Sequence, residues 1–285
     1  MPSNLALTGG EPQRSSPFPA WPIYDETDAQ ALLEVLHSGA WFLGAKIKAF
    51  STAFATFQEA EFGIAVANGT VALQLALSAI DIRPGDEVIV PAYTFIATAS
   101  AVAAVGGIPI FVDIDPQTYT IAPIAVEAAI TARTKAIIAV HIAGRPADLD
   151  ALGALSQQHR IALIEDAAQA HGAAWKGRKV GALGTLGTFS FQASKNLNAG
   201  EGGCITTNDR ALAERAWSLH NCGRAPTGAW YEHPLLGGNY RMTEFQAGLL
   251  LNQIKRLDAQ IGQRQRNGAL LDQLLVGIDG ISPLA

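Results

Sequence analysis

Apolar and polar positions along this chain follow two periods, and the places where one gives way to the other mark its elements. Short apolar runs of four or five residues, suited to buried parallel strands, occur at 63–67, 87–90, 108–112, 136–140, 161–164, 188–191 and 204–207. Helical spacing separates many of them, at 70–79, 94–105, 123–129 and 148–159. Two further helices are predicted ahead of the first strand, at 26–37 and 46–57. Another is predicted after the last strand, at 209–221, capped by Asn208. Strand and helix in turn predict βαβ units. The expected fold is α/β, with a mostly parallel central sheet of about seven strands covered by helices on both faces.

The two ends of the pattern differ from its middle. Residues 1–24 hold five prolines and no apolar period, which predicts an extended arm lying on the body. Residues 223–241 form a glycine- and proline-bearing connection of unusual length, and such loops are commonly functional. Thr243 then opens a long helix, with Gln246 at capping-box spacing. Leu249, Leu250, Ile254, Leu257 and Ile261 form its apolar face, and the pattern runs to about Leu275.

Composition narrows the class. With 285 residues, 49% of them hydrophobic and 16% charged, the chain can bury a sizeable core. A net charge of −5 with scattered acids argues against nucleic-acid or membrane-surface partners. Cys204 and Cys222 build neither a disulfide framework nor a metal cluster, so no metal site is expected. The longest uncharged stretch, 95–112, is interrupted by Gly106, Gly107 and Pro109 and reads as a buried helix followed by a buried strand. The first residues lack the basic start and apolar run of a secretory signal. A cytoplasmic protein is expected.

Four stretches could carry chemistry. In the run Ser190-Phe191-Gln192-Ala193-Ser194-Lys195-Asn196-Leu197, followed by Gly200-Glu201-Gly202-Gly203, one lysine sits among small, polar and apolar residues. It is either a solvated loop lysine or an amine held for Schiff-base chemistry with a carbonyl. The turn Asn68-Gly69-Thr70-Val71 joins a strand to a helix. It is an ordinary capped helix start or an anion cradle, in which Gly69 permits close approach and Thr70 adds a hydroxyl. Asp166 ends an apolar strand at the carboxyl edge, where open α/β sheets place ligands. It either caps the next turn or pairs with a cation such as a protonated heteroaromatic nitrogen. Its neighbour Glu165 points to the opposite face and is expected to be structural. Phe95, in Pro91-Ala92-Tyr93-Thr94-Phe95, belongs to the core or stacks on a planar ring. His141 and His171 are expected to be structural.

An anion cradle, an aromatic platform, a carboxylate and a lone amine at the strand ends of one sheet are what pyridoxal 5′-phosphate (PLP) requires. The runs Glu165-Asp166-Ala167-Ala168-Gln169-Ala170-His171-Gly172 and 190–197, with Gly238-Asn239-Tyr240-Arg241-Met242, resemble the DegT/StrS family of PLP-dependent sugar aminotransferases. The likeness extends over nearly the whole chain. It implies a fold-type I large domain working as a homodimer with shared active sites. Lys195 would be the Schiff-base lysine, Asp166 the partner of the pyridine nitrogen and Gln169 a neighbour of the ring hydroxyl, with Phe95 stacked on the ring. Thr70, the Val71 backbone and Ser190 would hold the phosphate beside Gly69, helped by Asn239 or Arg241 from the other subunit.

By the same likeness, an amino acid, glutamate or glutamine, would give its nitrogen to a keto-sugar or keto-cyclitol. The N-terminal Thr8-Gly9-Gly10-Glu11-Pro12 and Pro19-Ala20-Trp21-Pro22 resemble members that act on cyclitols or make aminohydroxybenzoate. Residues 1–255 are expected to form the PLP-binding large domain with its arm. Residues 256–285 are expected to form a connecting helix and the start of a shortened C-terminal small domain, most of which is missing. Two other readings are a PLP-dependent sugar dehydratase, against which the retained Lys195 counts, and a non-catalytic PLP-fold module.

Overall fold

The computed structural model of the protein describes residues 5–283. A short 3-10 turn, Ala6–Thr8, lies in the arm, whose first four residues fall outside the described range. The arm is mostly exposed and meets the body near its end: the Trp21 indole N–H donates to Ala193 O at 2.9 Å, and Ile23 O accepts from Arg256 at 3.1 Å.

The ordered elements begin with α1 (Glu26–Ser38), α2 (Ala45–Phe57), β1 (Phe62–Val66), α3 (Gly69–Ala79), β2 (Glu87–Pro91), α4 (Ala97–Ala104) and β3 (Ile108–Val112). They continue through α5 (Pro123–Ala129), β4 (Thr134–Val140), α6 (Leu149–His159) and β5 (Ala162–Asp166). A two-strand hairpin, β6 (Ala174–Trp175) and β7 (Arg178–Lys179), comes next. Then follow β8 (Leu186–Ser190), β9 (Gly203–Thr207), α7 (Arg210–His220) and α8 (Glu244–Leu275).

The central sheet has seven strands in the order β1-β9-β8-β5-β4-β2-β3. The strand at 204–207, expected to be parallel, is not: β9 runs antiparallel to both neighbours, β1 and β8. It is the one reversed strand of the sheet, because the short connection 191–202 folds the chain back beside β8, and only an antiparallel neighbour can be reached that way. On one face the core is built from α2 and α8, with Phe50, Phe54, Phe189 and Phe191 fully buried. On the other, α3, α4 and α7 cover Val66, Val88, Ile138, Ile164 and Ile205.

Several boundaries shift from expectation for local reasons. β5 runs on through Glu165 and Asp166, since Ala139 and Val140 pair with them. α4 starts at Ala97 and not at 94, after an uncapped turn. α7 is capped by Asp209, whose carboxylate accepts the Ala211 and Leu212 amides. Asn208, the expected cap, is occupied elsewhere: its Oδ1 accepts from Glu61 N and its Nδ2 donates to Ala182 O.

α2 has no side-chain cap of its own. The buried Glu244, at the start of α8, supplies one from 200 residues away. Its carboxylate accepts the amides of Gly44, Lys46 and Ile47 at 2.8 to 3.0 Å, placing negative charge on the positive end of α2. The Thr243–Gln246 capping box of α8 is present as expected. α8 is continuous across residue 255, and its last buried position is Leu257. Farther along, Leu270, Leu271 and Leu274 are exposed.

The long connection 223–241 carries exposed Trp230, Tyr231 and Leu236, then returns to the β1 edge. There Ala67 N donates to Tyr240 O at 2.8 Å, and Arg241 bridges to Val66. The otherwise open edge of β1 is thereby partly covered. Among the described residues, no helix is long and apolar enough to cross a membrane.

Candidate active site

At the carboxyl edge of the parallel strands, a cavity of about 670 Å³ is enclosed between the start of α3, the turn before α4 and the β8–β9 connection. Eight of the residues singled out from the sequence line it: Gly69, Thr70, Val71, Phe95, Asp166, Gln169, Ser190 and Lys195. The other two, Asn239 and Arg241, do not. Arg241 donates to Asn221 Oδ1 at 3.0 Å and to Cys222 Sγ at 3.3 Å, while Asn239 bridges to Asn221.

One wall is the N-terminus of α3. Asn68 caps it, accepting the Val71 amide on Oδ1 at 2.9 Å. This corrects one expectation: the Val71 N–H is taken by the cap and is not left for an anion. The amides of Gly69 and Thr70 have no acceptor among the described residues and remain as donors at the positive end of the helix. Gly69 packs directly on Ser190: a Cβ there would stand 2.6 Å from the Ser190 Cβ. Only glycine lets the two halves of the cradle close this tightly.

Facing that wall is Asp166, at the end of β5. Alternation along the strand sends it toward α4 and sends Glu165 to the opposite face. Asp166 is 6% exposed, and no cation pairs with it among the described residues. Thr98 Oγ1 donates to its Oδ2 at 2.8 Å, and Ala168 N donates to its Oδ1 at 3.3 Å. Burial pushes its carboxyl above the usual range, and these two donors, with His141 and Lys195 nearby, offset only part of that. Glu165 is fully buried but differently supplied: His141 Nε2 at 3.0 Å and the amides of Gly181, Leu183 and Gly184 at 2.7 to 2.8 Å all converge on it. Burial alone would raise its pKa, yet these donors outweigh burial and hold the group below its ordinary value. Glu165 is therefore structural, as expected.

The two histidines are structural as well. The Ala147 amide donates to His141 Nδ1 at 3.1 Å, which fixes the tautomer that gives the Nε2 proton to Glu165. His171 donates from Nε2 to Ser190 O at 2.9 Å and packs against Phe54, Phe189 and Phe191. Its Nδ1 is buried without a partner, and burial lowers the ring's pKa to about 4.

Lys195 is half-buried, on a loop tied by Lys195 N to Gln192 O at 2.8 Å and by Asn198 Nδ2 to Lys195 O at 3.1 Å. Its ammonium meets no carboxylate within ion-pair distance among the described residues. Lys195 and Gln169 also line a second, more open cavity of about 870 Å³, bounded by His171, Ile261 and Arg264. The amine thus stands where two spaces meet. Gln169 accepts the Ala143 amide on Oε1 at 2.6 Å, which leaves its NH₂ group as a donor. Phe95 is 68% exposed on the cavity rim, so it is not a core residue. The packing reading of Phe95 fails because α4 begins only after it.

Sequence reasoning missed Thr94 and Thr98. They stand four positions apart, Thr94 in the turn before α4 and Thr98 on its second residue, with hydroxyls 2.8 Å apart; Thr98 is fully buried. That spacing was legible, but not that β5 would end opposite it.

The donor set fits a flat, phosphorylated, heteroaromatic ring. A glycine-walled anion cradle, a buried carboxylate short of a cation and an unpaired amine share one space, and the ring edge has an amide donor in Gln169. Fold and site together define an α/β protein whose cavity at the carboxyl edge of the sheet suits such a ring.

Residues 22–285 match the DegT/DnrJ/EryC1/StrS aminotransferase family, and the chain belongs to it. It is 45% identical over 298 residues to the L-glutamine:2-deoxy-scyllo-inosose aminotransferase of Micromonospora echinospora, covering 98% of this chain and 70% of that one. Among solved structures it resembles 3-amino-5-hydroxybenzoic acid synthase, with a TM-score of 0.92 and 43% identity over 95% of this chain and 72% of that one. It also resembles ntda from Bacillus subtilis with bound cofactor PMP, with a TM-score of 0.76 and 34% identity over 81% of this chain and 53% of that one. The fold is that of the fold-type I aminotransferases, and the chain is an aminotransferase by family.

Proposed function

We propose that the protein is a PLP-dependent aminotransferase that moves an amino group from glutamine or glutamate to a keto-cyclitol or a related keto-sugar in secondary-metabolite biosynthesis. The observation that carries this reading is the meeting of Lys195, Asp166 and the Gly69–Thr70 amides on one cavity. The relatives' names point to glutamine as donor and a keto-cyclitol as acceptor.

When bound, PLP supplies a carbonyl for amine exchange and a protonated ring that withdraws electrons from the reacting carbon. The residues of the chain have separate tasks. Lys195 Nζ would be the amine that holds the cofactor carbonyl, and once free it would be the base placed to move a proton at the reacting carbon. The Asp166 carboxylate keeps the ring nitrogen protonated. The Gly69 and Thr70 amides and the Thr70 and Ser190 hydroxyls hold the phosphate, Phe95 covers a ring face, and the Gln169 amide addresses the ring hydroxyl. His141 borders the cavity, but its Nε2 proton goes to Glu165, and the two hold the end of β5.

The working unit in this reading is a homodimer in the cytoplasm. Its support is the exposed apolar rim of Tyr93, Phe95 and Ile96, and the position of Asn239 and Arg241 away from the cavity of their own chain. Asn239 or Arg241 of the partner subunit would complete the phosphate site. Residues 1–255 form the cofactor domain in this proposal. Residues 256–285 lead toward a smaller domain, which the exposed leucines of α8 would contact.

The test supplies PLP, L-glutamine or L-glutamate, and a panel of keto-cyclitols and keto-sugars. Amine transfer to a member of the panel is expected. Cofactor binding with no amine leaving the donor would favour the non-catalytic module instead.

A further inference from the structure

The Asp166 carboxylate is held by a chain of hydroxyls that the cofactor reading does not itself require. Thr98, the second residue of α4, has its hydroxyl 2.8 Å from Asp166 Oδ2 and is fully buried. Thr94 Oγ1 lies 2.8 Å from Thr98 Oγ1, is only partly buried, and borders the cavity. Two hydroxyls, one in the turn before α4 and one on its second residue, therefore join the cavity to Asp166 Oδ2.

Proton counting gives this chain a direction. A hydroxyl carries one proton, and an ionised carboxylate only accepts. With Asp166 charged, Thr98 must donate to Oδ2, so Thr94 must donate to Thr98. With Asp166 neutral, all the donors reverse and Thr94 ends with its proton free for the cavity. Both states leave every buried atom of the chain paired, and the charged state, in which Thr98 donates to Oδ2, is the one that a cationic ring nitrogen at the other oxygen would select.

The other groups around Asp166 do not duplicate this role. His141, the residue after β4, has its Nε2 proton committed to Glu165. Lys195 and Glu201 come from the β8–β9 connection and line the cavity, but neither is hydrogen-bonded to Asp166. The Ala168 amide holds Oδ1 only at 3.3 Å. Thr98 is thus the one short bond to the carboxylate among the described residues, and it falls on the oxygen remote from the more loosely held Oδ1.

We propose that Thr98, backed by Thr94, is a positioning residue for Asp166: its hydroxyl holds Oδ2 so that the carboxylate stays charged and presents its other oxygen to the protonated ring nitrogen. This rests on the PLP reading above. Thr98 touches neither cofactor nor substrate. It acts through Asp166 alone, so its effect should exist only for a ring that has a nitrogen to pair.

The experiment measures dissociation constants of the cofactor-free chain for PLP and for 1-deaza-PLP, in which carbon replaces the ring nitrogen. Thr98→Val keeps the side-chain shape and removes the donor. It is expected to weaken PLP binding about tenfold at neutral pH while changing deaza-PLP binding little. Thr98→Ser should restore most of the loss, and Thr94→Val should act in the same direction but less. Equal losses for both ligands, or no loss for either, overturn the proposal, since a merely structural residue cannot tell them apart. If Thr98→Val does not fold by circular dichroism, the ratio in Thr94→Val decides in the same way. Failure of the unaltered chain to bind PLP at all is a different result and overturns the cofactor reading itself.

Discussion

Glu165 and Asp166 are neighbours in β5, and the structure treats them in opposite ways. The Glu165 carboxylate receives four donors and sits below its ordinary pKa, whereas Asp166 receives two and sits above. The difference comes from strand alternation alone, which turns one toward the β5–β8 connection with its run of amides and the other toward the cavity. One acid anchors the sheet edge; the other is left short of positive charge where a ligand can provide it.

Two isosteric substitutions separate these roles. Glu165→Gln places an NH₂ group against four donors and should lower unfolding free energy by about 3 kcal/mol in a denaturant titration. Asp166→Asn removes a buried charge that lacks a cation. The cofactor-free chain should then be at least as stable as the unaltered one, while PLP affinity falls tenfold or more.

Gly69 tests the anion cradle. A Cβ at that position would lie 2.6 Å from the Ser190 Cβ, so Gly69→Ala must push the α3 turn away from β8. Overpacking of this kind costs about 1–3 kcal/mol. Affinity for PLP should fall by at least tenfold, and affinity for pyridoxal, which has no phosphate, should change much less. Equal losses would mean that the turn holds no anion.

Two buried histidines contribute to the loss of stability on acidification. Burial lowers both His171 and His220 to about 4, and His220 donates to Trp217 O. In the unfolded chain each takes up a proton near 6.5, so between about 6.5 and 4 the unfolded state binds more protons and stability falls as pH falls. Each contributes a loss of order 3 kcal/mol across that window. Replacing His220 by Asn, which does not titrate, should flatten the profile between pH 6.5 and 4 by about half, read from urea midpoints at several pH values.

Much of the site was legible because its parts are local. Each of Asn68-Gly69-Thr70, Glu165-Asp166 and Ser194-Lys195 sits where a strand gives way to a turn, and apolar runs mark strand ends well. Seven strands and their approximate limits followed from the same signal. What escaped depends on contacts between distant segments. The reversed direction of β9 is set by a return path through glycines. The capping of α2 by Glu244 spans 200 residues, and the Thr98–Asp166 bond spans 68. The loss of the Val71 amide to Asn68 was a matter of which of two local acceptors wins. Asn239 and Arg241 were read from resemblance alone, and the cavity of their own chain does not include them.

The central claim concerns one amine, and trapping it is the most direct measurement. The chain is incubated with PLP, reduced with borohydride and digested, and the modified peptide is identified by mass spectrometry. The account predicts one phosphopyridoxyl group, on Lys195, together with a visible absorption band that Lys195→Ala abolishes while its circular dichroism is unchanged. Label on another lysine, or a band that survives in Lys195→Ala, would contradict it.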